Sequence, residues 1–113
     1  MPMRGLTIIV AGPDLDRFRA ALTMACAAAA LGGRARVYLH ERAVTLLAAR
    51  ASAPAGLPDL PQLRAIANDS GVELIACQTG LALSGLSAEQ ANVAAGGMID
   101  LLATLADDRL VTV

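Results

Sequence analysis

The feature that most constrains this chain is a series of short β-branched runs set apart by helical stretches. Residues 6–11 (LTIIVA) are continuously apolar and stop at Gly12-Pro13. A run without polar alternation reads as a strand buried on both faces. Residues 34–40 (RARVYLH), 72–77 (VELIAC) and 109–113 (RLVTV) supply three more strands, and residues 92–95 (NVAA) a short one. Asp14 or Asp16 can cap a helix reaching Leu31, with Leu15, Phe18, Leu22 and Ala25 as its apolar stripe and Gly32-Gly33 as its stop. Residues 41–51 read as a second helix with Val44, Leu47 and Ala48 on one face. Residues 52–61 hold three prolines and form a loop; Asp59 then caps a third helix to Asp69, ended by Gly71. Residues 78–86 (QTGLALSGL) read as a glycine-punctuated turn, Ser87 and Gln90 as a capping box for one helical turn, and residues 98–106 as a last helix. Such alternation closes through right-handed βαβ crossovers. The expected fold is one α/β domain over residues 1–113, a three-layer α/β/α sandwich on a mostly parallel sheet of four or five strands.

Composition removes several function classes. With 56% hydrophobic residues and a net charge of −1 the chain is not intrinsically disordered. It lacks the basic surplus of a nucleic-acid binder, and with 2% aromatics it lacks stacking platforms for bases. The 25 alanines bury little area each, so a chain this small gains by covering further surface with copies of itself. A homo-oligomer is therefore expected. The first apolar run is too short for an export signal, and the longest, residues 20–31, is too short to cross a bilayer. Without an export signal, Cys26 and Cys77 point to a reduced cytoplasm and free thiols. One histidine and no CxxC leave no basis for a metal site, and no motif implies a cofactor.

In an open parallel sheet reactive groups gather beyond the carboxyl ends of the strands. Gly12-Pro13-Asp14, His40-Glu41-Arg42 and Cys77-Gln78-Thr79-Gly80 stand there. The first loop, GPDLDR, has neither GxxxxGK[ST] nor GxGxxG and reads as a capped turn. Glu41, Arg42, Asp14 and Asp16 read as solvated charges at helix starts, and Met24, Met98 and Cys26 as core. Cys77 has two readings of equal weight. It is a small buried hydrophobe, or it is a thiolate steadied by N–H groups near Thr79 and Gly80 and able to carry sulfur. His40 can pair with that thiolate or relay its proton if the second and third strands are neighbours; otherwise it is a half-solvated strand-end residue.

From Cys77 outward the chain resembles the DsrE/DsrF-like family, which includes sulfur-relay subunits related to TusD. The resemblance runs from the Ala-rich helix, GG and RVYLH through ERAVTLLAA and VELIAC. It continues through CQTGLALSGL, with its Gly85-Leu86 pair, to GGMIDLLATLADDRLVTV. It implies a small α/β sulfur-handling protein, oligomeric as trimers or hexamers, with donor and acceptor proteins as partners. It also implies that Cys77 carries the persulfide. Some relatives have a second cysteine three residues on; here that place is Gly80, which implies a one-cysteine relay. The reading from a different class is a non-catalytic oligomeric module that holds a small ligand in a strand-end pocket lined by Cys77.

Overall fold

A computed structural model describes residues 3–50 and 53–113. Met1 and Pro2 lie outside the described residues, as do Ala51 and Ser52, where the second helix was expected to end and the proline loop to begin. Among the described residues the sheet has five strands: β1 (Leu6–Val10), β2 (Ala35–Leu39), β3 (Glu73–Cys77), β4 (Ala94–Gly96) and β5 (Arg109–Thr112). Every pairing is parallel and the order is β4-β3-β2-β1-β5. The expected α/β/α sandwich is the observed fold, with all five strands present. β1 and β2 are buried at every position, their apolar residues facing both sides of the sheet and Thr7 and Arg36 buried among them.

Helix α1 (Leu15–Ala30) starts at Asp14, not Asp16: the Asp14 carboxylate accepts from the Arg17 N–H at 2.9 Å. Phe18, Ala21, Leu22, Ala25 and Ala28 form its buried stripe, and the small alanines let it lie close on β1 and β2. Helix α2 (Leu60–Asp69) opens with a reciprocal capping box between Asp59 and Gln62 and packs beside α1. Helix α4 (Ala88–Ala91) is the single turn expected after Ser87; Arg64 of α2 donates to its Ala91 carbonyl at 2.6 Å. These helices share one face of the sheet, as right-handed crossovers running steadily from β1 to β4 demand. Helix α5 (Met98–Ala103) returns over the opposite face to reach β5.

Four expectations are corrected. Residues 41–51 do not form an α-helix; Glu41–Ala48 is a 3-10 segment, because Glu41 takes φ 44° and no side chain caps the start. The turn at residues 78–86 is instead helix α3 (Gln78–Ser84), closed by Gly85 at φ 66°. Its glycine suits close packing, described below, and does not break the helix. The fourth strand begins at Ala94 because Asn92 and its φ of 55° close α4. The last helix stops at Ala103, before Ala106 takes φ 53°.

The α5 face hides an ionic cluster. Strand alternation points Thr7 and Arg36 to this side, and they are buried together with Asp108. Asp108 accepts from Thr7 Oγ1 at 2.9 Å and from Arg34 Nη2 at 2.7 Å, while Arg36 donates to Thr7 Oγ1 at 3.0 Å and Thr104 Oγ1 at 2.8 Å. The cluster therefore fastens β1, β2 and the end of α5 to one another. Gly5 is required beside it, since a Cβ there would collide with the Asp108 carboxylate. Removing one member of a buried ionic cluster leaves the others uncompensated. Asp108→Ala is expected to cost about 3 kcal/mol or more in urea unfolding. An unfolding midpoint equal to wild type would show that the cluster does not hold the return crossover.

Candidate functional site

The connections after β3 and β4 leave for opposite faces. That makes the boundary between these strands the point where the sheet topology switches, the place where open parallel sheets commonly gather functional groups. Cys77, last residue of β3, pairs across this boundary with Gly96. On its other side Leu39 pairs with Ala76, so the following residues, His40 and Cys77, stand beside each other at the strand ends. The topology therefore brings two of the residues singled out in the sequence to one corner.

Cys77 is the N-cap of α3, and its thiol is a free one at 7% residue exposure. Burial alone raises a thiol's pKa. Here that effect is outweighed by hydrogen bonds from the Gly80 and Glu41 N–H groups, the Tyr38 hydroxyl and the Thr79 N–H, and the Cys77 pKa is lowered from 9.0. Thr79 is exposed, Gly80 is buried, and the Gln78 side chain faces solvent. Cys26 is the internal contrast. Half-buried on α1, it is pushed above 9.0 by desolvation, which a bond with Ser70 only partly offsets.

Two residues of this corner were not candidates in the sequence. The backbone of Glu41 supplies an N–H because the chain turns left-handed there, a conformation costing about 1 kcal/mol or more in a non-glycine residue. Tyr38, 1% exposed, shares the face of His40 and Cys77 by strand alternation. Desolvation first, and then the influence of nearby Cys77 and of the Glu41 charge, drive its pKa far up. Alternation with β3 was the usable signal for Tyr38; nothing in residue type foretold the backbone turn at Glu41.

His40 lies next to this arrangement. Its ring centroid is 6.4 Å from that of Tyr38, and its Nε2 is 3.5 Å from Glu41 Oε1. Its Nδ1 is buried without a hydrogen-bond partner. Asp14 serves as a helix cap and Asp16 is exposed, as their residue types suggested.

Gly80 is fixed by packing. A Cβ at this position would collide with the Glu41 carbonyl and come within 2.6 Å of Val44 Cγ2. The absence of a side chain lets α3 lie against the 3-10 segment and aims both sets of N–H groups at one sulfur. A cleft of about 260 Å³ between the sheet and α5 is lined by Arg36, Ile75, Gly96 and Leu101 among others; Cys77 is not part of its lining. No group of three or more metal-ligating side chains occurs among the described residues. None of their helices is long and apolar enough to cross a membrane.

A family model described as DsrE/DsrF-like matches residues 4–113. The chain belongs to the DsrE/DsrF-like family. Members of this family generally act in sulfur relay. Among solved structures, the ychN protein from E. coli superposes with a TM-score of 0.76 at 23% identity, covering 98% of this chain and 100% of that one. At that identity the likeness is one of fold. No curated protein matches the chain. Position 80 is a glycine, and the approach of Glu41 there leaves no room for a side chain.

Two outcomes follow from this geometry. Gly80→Ala should cost about 1–3 kcal/mol through overpacking and raise the pH at which Cys77 reacts, since it pushes N–H donors away. Unchanged stability and an unchanged alkylation profile would show that the close approach is not needed. The second concerns pH. The folded Cys77 pKa lies below the 9.0 of an unperturbed thiol, so between the two the native state binds fewer protons than the unfolded one. Stability from this group is complete above 9.0 and is lost as pH falls through the folded value. Cys26 shifts the opposite way but is common to wild type and Cys77→Ala, so it cancels in their difference. Wild-type unfolding free energy minus that of Cys77→Ala should rise toward pH 9.0; a flat difference sinks the anion-stabilising reading.

Proposed function

We propose that this chain is a sulfur-relay protein that carries sulfane sulfur as a persulfide on Cys77. One observation carries the reading: a buried thiol whose pKa is lowered, despite desolvation, by backbone N–H groups of Gly80, Glu41 and Thr79 and by a phenol. Such donors favour the thiolate, the form that attacks sulfur.

In the loading step the Cys77 thiolate attacks the outer sulfur of a donor persulfide. The new Sγ–S bond forms as the donor's S–S bond breaks, and the donor leaves as a thiolate. In the unloading step a partner's thiolate attacks the outer sulfur and Cys77 departs as a thiolate. Sulfur moves at the same oxidation level throughout, so no external oxidant enters. A lowered pKa also makes Cys77 a better leaving group. The N–H groups of Thr79 and Gly80 hold its anion, Gln78 stands at the mouth, and His40 moves the proton carried by the transferred sulfur. With glycine at position 80 the relay uses one cysteine. Free thiols of this kind suit a reduced cytoplasm.

Self-association belongs to the same proposal. Ile99 is 89% exposed and Leu83 71% exposed, with Leu102 and Leu110 also open, which is much apolar surface for a small chain with one Phe, one Tyr and no Trp. A homo-oligomer, trimer or hexamer, would cover part of it, and light scattering that finds only monomer at micromolar concentration overturns that element.

Mass spectrometry after treatment with a low-molecular-weight persulfide tests the relay. One added sulfur on Cys77, none on Cys26 and none in Cys77→Ser is expected. A Cys77 that gains no sulfur and alkylates no faster than the denatured thiol overturns it, leaving non-catalytic small-ligand binding as the reading.

A further inference from the structure

We propose that the cleft between the sheet and α5 is a binding site for a small zwitterion of the α-amino-acid class, with Arg36 taking its carboxylate and Glu73 and Asp100 its ammonium group. The inference stands apart from the relay, because Cys77 does not line the cleft. Three observations carry it: a space of about 260 Å³, a buried cation short of counter-charge, and two open carboxylates on the same lining.

The space follows from the sequence. Ala94 and Gly96 of β4 share the α5 face with Glu73 and Ile75 of β3, and they are too small to fill the gap beneath the helix. Position 96 has no room for a larger residue, since a Cβ there would stand 2.9 Å from Ile75 Cγ2. Charge decides the class of ligand. Arg36 is 4% exposed and donates to Thr7 Oγ1, Thr104 Oγ1 and the Leu101 carbonyl. That leaves two of its five N–H groups without a partner among the described residues. The Asp108 carboxylate lies 2.7 Å from Arg34 Nη2 and 3.8 Å from Arg36 Nε, so one anion serves two guanidinium groups. A buried cation so placed gains from a further anion. Glu73 is the direct cross-strand partner of Arg36, yet no ion pair joins them, and Asp100 on α5 is likewise in none among the described residues.

Arg36 and Glu73 therefore present opposite charges to one space from adjacent strands, about 5 Å apart at the backbone. An α-amino acid carries its two charges on one carbon and meets both residues at once. A simple anion would be repelled by Glu73 and Asp100, and a simple cation by Arg36. Ile75 and Leu101 give a short side chain an apolar wall. The volume falls below the roughly 300 Å³ at which pockets for drug-sized ligands begin, and the lining holds no aromatic residue to stack on a base.

The test is a backbone-amide NMR titration of the whole chain with L-alanine and L-valine, set against acetate and methylamine as the two half-ligands. Saturable shifts are expected at Gly96, Gly97 and Leu101, with an amino-acid Kd about tenfold or more below that of either half. Glu73→Gln and Asp100→Asn change exposed side chains, so both variants should keep the fold. Each should weaken amino-acid binding about tenfold, the loss of a contact with a charged group. Ala94→Leu, which fills the floor of the cleft, should abolish binding; should it not fold, the two carboxylate variants decide alone. Cys77→Ser should bind like wild type, so this site and the relay stand or fall separately. The proposal is overturned if neither amino acid gives saturable shifts, or if the shifts centre away from the cleft. Acetate binding as tightly as L-alanine overturns it too, as does affinity unchanged in both Glu73→Gln and Asp100→Asn.

Discussion

Everything at the candidate site depends on β3 being paired in parallel on both sides, with β2 and with β4. Parallel pairing puts the carboxyl ends of all three strands at one edge, so Cys77, Gly96 and the Tyr38-to-Glu41 segment meet there. The order β4-β3-β2-β1-β5 sends the chain after β3 to one face and the chain after β4 to the other. A sheet whose strands all continued to the same face would have its strand-end residues covered by the next helix. Here the thiol lies just beneath the surface, at 7% residue exposure, enclosed enough for hydrogen bonds to act strongly.

Two opposing effects decide what that thiol is. Desolvation is the largest single influence on Cys77, and by itself it would make the residue an inert small hydrophobe. Several donors converging on one atom reverse the outcome. Cys26 shows what happens without convergence: it has the same side chain and a similar apolar setting but only Ser70 to help, and it stays protonated further into alkaline pH. The difference between the lowered pKa of Cys77 and the raised one of Cys26 lies in backbone direction. The left-handed turn at Glu41 is part of that direction, and its local strain is held by the packing of α3 against the 3-10 segment.

The same reasoning explains what was legible in the sequence. Strands β1, β2 and β3 are short, mostly apolar runs, and Asp14 and Asp59 cap their helices through side chains whose preference is strong and local. The fold and the placing of Cys77 and His40 at one edge followed from these. Helix α3 did not, because Gly80, Ser84 and Gly85 look like turn residues when Gly80 is in fact required by a neighbour 36 or more residues earlier in the chain, at Glu41 and Val44. The 3-10 segment was missed for a related reason: its pattern is apolar and helical, and only the backbone at Glu41 departs. Tyr38 was passed over because a lone aromatic in a strand reads as core, which it is; its second role depends on which strand lies next to it.

Gly80 joins these threads. A relay with two cysteines on one helical turn needs a side chain at the second position, and the second thiol then resolves the first. In this chain that volume is occupied by the Glu41 carbonyl, and the same approach delivers the Glu41 N–H to the Cys77 sulfur. The two arrangements exclude each other sterically. A resolving thiol at position 80 would displace donors that favour the Cys77 anion, and the donors, once in place, leave no site for it. On the proposed relay, a one-cysteine site is therefore a different solution to holding sulfur, in which groups around Cys77 stabilise the anion and a thiol from outside the domain takes the cargo. Such a site cannot discharge itself by forming an internal disulfide with position 80. On the relay proposed for Cys77, a persulfide there persists until an acceptor reaches the strand-end corner.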